Sequence, residues 1–205
     1  MDSIYGPYRQ RLEEVLNDLT ERLKKSNEEI KEARGEGIYE HLTARIKSEE
    51  SMREKCRRKG LPENECSALE KIHDAIGIRI VCPFVDDIYD LVDMIRGMDG
   101  LEVIEEKDYV RNVKPNGYRS YHMLVTLSGD YTDCMGRNPG KCHAEIQLRT
   151  IAMDSWASLE HKLKYKKNIK NQELIVAELK KCADELASCD LSMQTIRDLI
   201  NEDNT

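Results

Sequence analysis

The sequence predicts an α+β fold, with helices layered on a small, mostly antiparallel sheet. Three observations carry this. From residue 8 to about 33, Leu12, Val15, Leu16, Leu19, Leu23 and Ile30 recur at helical spacing among Glu and Lys, and Gly35-Glu36-Gly37 ends the run. Residues 75–82, AIGIRIVC, are a compact β-branched run stopped by Pro83, as in a buried strand. Residues 101–106, 120–127 and 142–149 alternate apolar and polar side chains, as half-buried strands do. Elements that each bury one stripe or one face stack into a layered α+β or α/β architecture.

The remaining elements fill the gaps in order. A second helix is expected over 48–59, and a third over 63–73 with Pro62 near its first turn. Residues 86–98 place Ile88, Leu91, Val92 and Ile95 on one helical face, closed by Gly97 or Gly100. The last two strands form a hairpin across SGDYTDCMGRNPGK, a long connection rich in turn residues. The pattern is helical again from 151 through Tyr165, and a pair of helices is expected over 172–200. No internal repeat or low-complexity tract interrupts the chain.

Composition bounds the function. With 205 residues, one catalytic domain plus peripheral helices is the default. Charged residues make up 35% and the mean hydropathy is −0.65, with no run near the roughly 20 apolar residues that span a bilayer. The acidic opening MDSIYGPYRQRLEEVL has no apolar signal core, so no membrane association and a cytoplasmic location are expected. Seven cysteines without a Cys-x-x-Cys pair argue against a disulfide framework or a zinc knot. Cys182 and Cys189, seven apart on one helical face, read as small core or interface residues. A net charge of −7 and a pI near 5.4 argue against a protein whose main task is gripping a nucleic-acid backbone. The positive charge is clustered instead, which focuses a field on a small polyanion.

The densest cluster is KDYVRNVKPNGYRSYH, residues 107–122. Lys107, Arg111, Lys114 and Arg119 suit phosphate oxygens, and Pro115-Asn116-Gly117 tightens the chain so that Tyr118 offers a ring face to a base. Three further segments share its chemistry in one order along the chain: Arg45-Ile46-Lys47 with Lys55, then HDAIGIRI at 73–80, and EIQLRT at 145–150. Asp74 and Glu145 are acids in or beside apolar runs, where an unpaired charge is expensive, so they are candidates to hold a divalent cation. Asp74 also suits a helix end, and Glu145 also suits a solvent face.

With these four blocks in place, residues 40 to 167 resemble the synthetase domain of RelA/SpoT-type enzymes, and the shortness of the chain makes it similar to the small alarmone synthetases. The resemblance implies a nucleotidyltransferase-like core, without the paired Asp-x-Asp of the wider nucleotidyltransferase group, and three regions: an N-terminal helix at 1–37, a catalytic domain at 38–167 and C-terminal helices at 168–205. It implies transfer of pyrophosphate from ATP to the 3′-hydroxyl of GDP or GTP, releasing AMP, with Mg²⁺ held by Asp74 and Glu145. For ATP it implies Arg45 and Arg79 sandwiching the adenine, and Lys47 and Lys55 on the triphosphate, with Arg53 or Arg57 assisting. For GDP or GTP it implies Tyr118 stacked on guanine with Asn116 beside it, and Lys107, Lys114 and His122 near the phosphates. Gln147 and Arg149, on the face of Glu145 by period two, are expected to support the site. Trp156, Glu160, His161, Tyr165 and Lys166 resemble the family's closing segment. His73-Asp74 also resembles the metal-dependent hydrolases of longer members, but only His41 precedes it, so hydrolysis of the product by that route is not expected. The apolar stripes of both end helices, with the resemblance, imply a homo-oligomer, expected as a tetramer, with a cleft for a regulatory guanine nucleotide or single-stranded RNA. Two alternatives stay open: pyrophosphate transfer to the 3′ end of tRNA, which would favour a larger basic surface, and a regulator that binds nucleotide or RNA with an inactive site.

Overall fold

The structure, a computed structural model, describes residues 3–164 and 171–203. Five strands form one sheet in the order β1-β2-β5-β4-β3: His41–Ile46, Ile76–Cys82, Gly140–Thr150, Tyr121–Gly129 and Leu101–Asp108. Only β2 and β5 run parallel; the other three neighbouring pairs are antiparallel. The mixed, mostly antiparallel α+β fold and the β4–β5 hairpin are as the sequence predicts.

One face of the sheet carries the core. Ile76, Ile78 and Ile80 of β2, Ala144, Ile146 and Leu148 of β5, and Met123 and Val125 of β4 are buried together. Against them lie Leu12, Val15, Leu19 and Leu23 of α1 (Arg9–Arg34) and Ile88, Leu91 and Ile95 of α3 (Val85–Arg96). Each such side chain contributes about 1.5–3 kcal/mol by leaving water. Helix α1 stops at Gly35, whose φ of 86° lets its N–H reach the Lys31 carbonyl at 2.8 Å. Helix α2 (Glu49–Arg58) starts at Ser48, whose hydroxyl accepts from the Ser51 N–H, with Glu49 and Glu50 in the first turn and basic residues in the last.

Three elements and one pair of cysteines differ from expectation. Strand β1 is not among the expected elements: its six residues, HLTARI, alternate polar and apolar side chains and are alternately exposed and half-buried, but the run is short and lies at the sheet edge. The expected helix over 63–73 shrinks to a short segment ending in one wide π-type turn, Ser67–Lys71, which leaves His73 and Asp74 in extended chain ahead of β2. The expected C-terminal pair is one helix, α5 (Gln172–Asp203), packed on α3 and on α4 (Ile151–Lys164). Cys182 and Cys189 lie exposed on α5, so they are not core residues. Among the described residues, no helix is long and apolar enough to cross a membrane.

Candidate active site

The face of the sheet opposite the core is built in cross-strand rows. Arg45, Gly77 and Glu145 pair across β1, β2 and β5 to form one row. Thr43, Arg79, Gln147, His122 and Lys107 form the next, across all five strands. Arg149 stands two residues beyond Gln147 on the same side. Period-two alternation thus gathers residues from segments a hundred positions apart onto one surface.

Asp74 sits just before β2, where Lys47 and Lys55 reach the same oxygen, Oδ2, at 2.5 and 2.6 Å. Burial opposes ionisation of Asp74, but the two ammonium groups outweigh it and hold the carboxyl below its ordinary range. The other oxygen, Oδ1, is buried and accepts no hydrogen bond. Glu145 is likewise pushed up by burial and pulled down further by His122 and Gln147, to about 2. Both acids are therefore anionic at neutral pH.

Glu145 belongs to a closed ring of hydrogen bonds. Arg149 Nη2 donates to the Tyr118 hydroxyl at 2.9 Å and to Gln147 Oε1 at 3.0 Å. Gln147 Nε2 donates to Glu145 Oε2 at 2.8 Å. His122 joins Glu145 Oε1 through Nδ1 at 3.1 Å and the Tyr118 hydroxyl through Nε2 at 2.8 Å. A proton on His122 Nδ1 serves the link to Glu145, and the Tyr118 hydroxyl oxygen, which accepts from Arg149, shares the second link with Nε2. Tyr118 is set edge-on to Tyr109 and to Trp156 of α4, and Lys114 Nζ lies 4.9 Å from its ring centre. Gly117 has a φ of 88°, and a side chain there would collide with Ala183 of α5, so the turn needs glycine. Asn116 donates to Glu160 at 3.2 Å.

Asp74 and Glu145 both line two neighbouring cavities. One, of about 320 Å³, is bounded by Thr43, Arg45, Lys47, Gly77, Arg79 and Gln147. The other, of about 160 Å³, is bounded by Lys55, Lys59, Lys71, His73, Glu105, Lys107 and His122. Arg79 has a buried Nε without a partner and an Nη1 3.3 Å from Asp154. Burial and the nearby Arg149 charge lower its pKa.

Several residues fall elsewhere. Lys55 touches Asp74 but lines the second cavity rather than the one that holds Arg45 and Arg79. Arg53 and Arg57 pair with Glu63. Arg111 lies over the Tyr89 ring, and Arg119 donates to the Ala183 carbonyl and faces Asp184 on α5, so neither points into the cavities. His161 is exposed on α4. Lys114, Asn116 and Tyr118 flank the second cavity without lining it. Tyr165 and Lys166 lie outside the described residues. Sequence reasoning missed Asp154, which takes both Arg79 and Arg149, and also Tyr109, Lys59 and Lys71. Among the described residues, no group of three or more His, Cys, Asp or Glu is arranged to hold a metal.

Two carboxylates between two basic cavities, on a mixed sheet backed by helices, make a site suited to phosphoryl-type transfer between two polyanions. Residues 44–170 match the family model described as the region found in RelA/SpoT proteins, and the chain belongs to this family. Among its relatives is GTP pyrophosphokinase YwaC of Bacillus subtilis, 41% identical over 73% of this chain and 70% of that protein. GTP pyrophosphokinase YjbM of the same organism is 34% identical over 96% and 88%. Of solved structures, small alarmone synthetase 2 from Bacillus subtilis superimposes with a TM-score of 0.77 at 35% identity, covering 92% of this chain and 95% of that one. Small alarmone synthetase 1, bound to its product pppGpp, gives a TM-score of 0.77 at 33% identity over 95% and 94%.

Proposed function

We infer that this chain is a GTP pyrophosphokinase that makes (p)ppGpp. The acceptor 3′-hydroxyl attacks the β-phosphorus of ATP, the bond between the α- and β-phosphates breaks, and AMP leaves. One observation carries the assignment of sides: a single pair of carboxylates is shared by two cavities, one walled by two guanidinium groups with Lys47 beside Asp74, the other by ammonium groups alone. Arg45 and Arg79 suit the two faces of the donor adenine, since planar guanidinium groups stack. Lys47 and Lys55 bring positive charge to the point where charge develops on the transferred group, while Asp74 fixes their positions. On the acceptor side Tyr118 offers the guanine platform with Asn116 beside it, Lys114 draws off toward phosphate, and Lys107 and His122 line the phosphate path.

Mg²⁺ fits Asp74 and Glu145. Asp74 Oδ1 is a buried anionic oxygen without a hydrogen bond, and Mg²⁺ asks for only one or two carboxylates when substrate phosphates complete its shell. When bound there, the ion would neutralise phosphate charge. Both oxygens of Glu145 already accept hydrogen bonds, so this residue suits orienting its neighbours better than removing the proton of the hydroxyl. Gln147 and Arg149 hold Glu145 and Tyr118 in the ring.

The protein works in the cytoplasm as a homo-oligomer, a tetramer by analogy with the family. Helix α5 leaves Leu191, Met193, Ile196, Leu199 and Ile200 more than half exposed, and that stripe supports an interface through 168–205, with room between subunits for a regulatory guanine nucleotide or single-stranded RNA. Helix α1 contributes less, because its stripe is already in the core. Light scattering after size exclusion tests this: a mass well above 23.7 kDa is expected, falling to that value for Leu191→Glu with Ile196→Glu. The activity itself is tested by mixing protein, Mg²⁺, ATP and GDP or GTP and resolving the nucleotides: AMP and a 3′-pyrophosphorylated guanine nucleotide are expected in equal amounts.

A further inference from the structure

Asp154 stands in the first turn of α4, outside both cavities, and takes two arginines on one oxygen. Arg149 Nη1 donates to Oδ1 at 2.9 Å, and Arg79 Nη1 approaches the same atom at 3.3 Å. These arginines come from different strands and serve different sides. Arg79 rises from β2 into the wall of the larger cavity. Arg149, buried on β5, donates to the Tyr118 hydroxyl and to Gln147, and so fixes the aromatic platform. Two guanidinium groups this close repel each other, and one carboxylate between them is what lets them share a place. Its position near the start of α4 favours a negative charge. The Nε of Arg79 is buried without a hydrogen bond, and the contact its guanidinium makes with a carboxylate is the ion pair with Asp154.

Building on the pyrophosphokinase reading, we propose that Asp154 is a positioning residue that sets the donor-base arginine and the acceptor-base tyrosine at once. Without touching either nucleotide, it ties the two sites into one unit through Arg79 and through Arg149 with Tyr118. A charge-assisted hydrogen bond that holds a binding residue is typically worth about a tenfold change in affinity.

The experiment measures KM for ATP and for GDP, with kcat at saturation of both, in the full chain. Asp154→Asn should raise both KM values about tenfold while kcat changes only a few-fold. Arg79→Ala should raise chiefly the ATP value and Tyr118→Ala chiefly the GDP value. Asp154→Glu, which keeps the carboxylate at one methylene's displacement, should raise both values less than Asp154→Asn, and it serves as the test if the asparagine variant does not fold. A rise for one substrate alone overturns the proposal, as does a lowered melting temperature with both KM values unchanged. If the wild type forms no 3′-pyrophosphorylated product, the activity reading fails separately. Calorimetric titration with ATP and with GDP, each alone, then decides the role of Asp154: weakened binding of both supports it, and weakened binding of one or neither overturns it.

Discussion

On the β1–β2 side of Asp74 and Glu145, the sheet offers about 320 Å³ of space, walled by Arg45 and Arg79, with Lys47 at the carboxylate end. On the β4–β3 side the cavity is half that size and its walls are Lys55, Lys59, Lys71 and Lys107. Guanidinium groups are planar and weakly hydrated, whereas ammonium groups are compact point charges. The first side is therefore suited to a base and the second to phosphates. Tyr118, the proposed acceptor-base platform, lies beyond the second cavity, its ring approached by Lys114 and Arg149 and its hydroxyl tied to Glu145 through His122. The donor side is open before substrate arrives.

Removing the element common to both sides has the largest expected effect. Asp74→Asn and Glu145→Gln should each lower kcat about 10³-fold, roughly 4 kcal/mol, with the fold intact. Turnover within a few-fold of wild type at saturating Mg²⁺ would remove that residue from the shared pair. Next come the side-specific losses. Tyr118→Ala should raise the acceptor KM by about 1–3 kcal/mol and leave the ATP KM nearly unchanged, with Arg79→Ala biased the other way. Equal effects on both substrates would dissolve the two-sided scheme.

Gly77 gives a finer test on one side only. A methyl group there meets nothing nearer than the Arg45 carbonyl at 4.0 Å, so the fold should tolerate Gly77→Ala. The methyl group would still project into the larger cavity, and the ATP KM should rise a few-fold with the acceptor KM unchanged. The smallest effect is on stability. The folded pKa of Glu145, about 2, lies below its ordinary 4.5. Its ionised form thus adds stability above about pH 4.5, which is lost as pH falls toward 2. Melting curves between pH 5 and 3 should decline less steeply for Glu145→Gln than for wild type. Equal slopes would mean that the ring around Glu145 does not hold its charge.

Much of this arrangement is legible along the chain because its elements announce themselves locally. Asp74 beside the apolar run of β2 and Glu145 within β5 stand out as costly charges, the resemblance adds Arg79, and period two carries Gln147 and Arg149 to the same face. Ser48 and Gly35 mark helix ends by capping chemistry. What stays hidden depends on tertiary neighbours. β1 does alternate polar and apolar side chains, but over six residues at a sheet edge with no fully buried position the signal is short. The continuity of α5 across 172–203 is not marked by any single residue. Asp154 reads as an ordinary acid near a helix start, because its two arginines come from other elements. Arg111 and Arg119 look like phosphate ligands until Tyr89 and α5 are seen to claim them.

The central claim is that one carboxylate pair joins a donor cavity to an acceptor cavity for pyrophosphate transfer. Its most direct test is anion-exchange chromatography of a reaction containing the protein, Mg²⁺, GDP or GTP, and ATP radiolabelled in its γ-phosphate, run alongside Glu145→Gln. The label should move intact into a guanine nucleotide carrying two more phosphates than the acceptor, with AMP formed in step and both products nearly absent in the variant. Release of ADP or free phosphate, label recovered only in added tRNA, or equal product from the variant would contradict it.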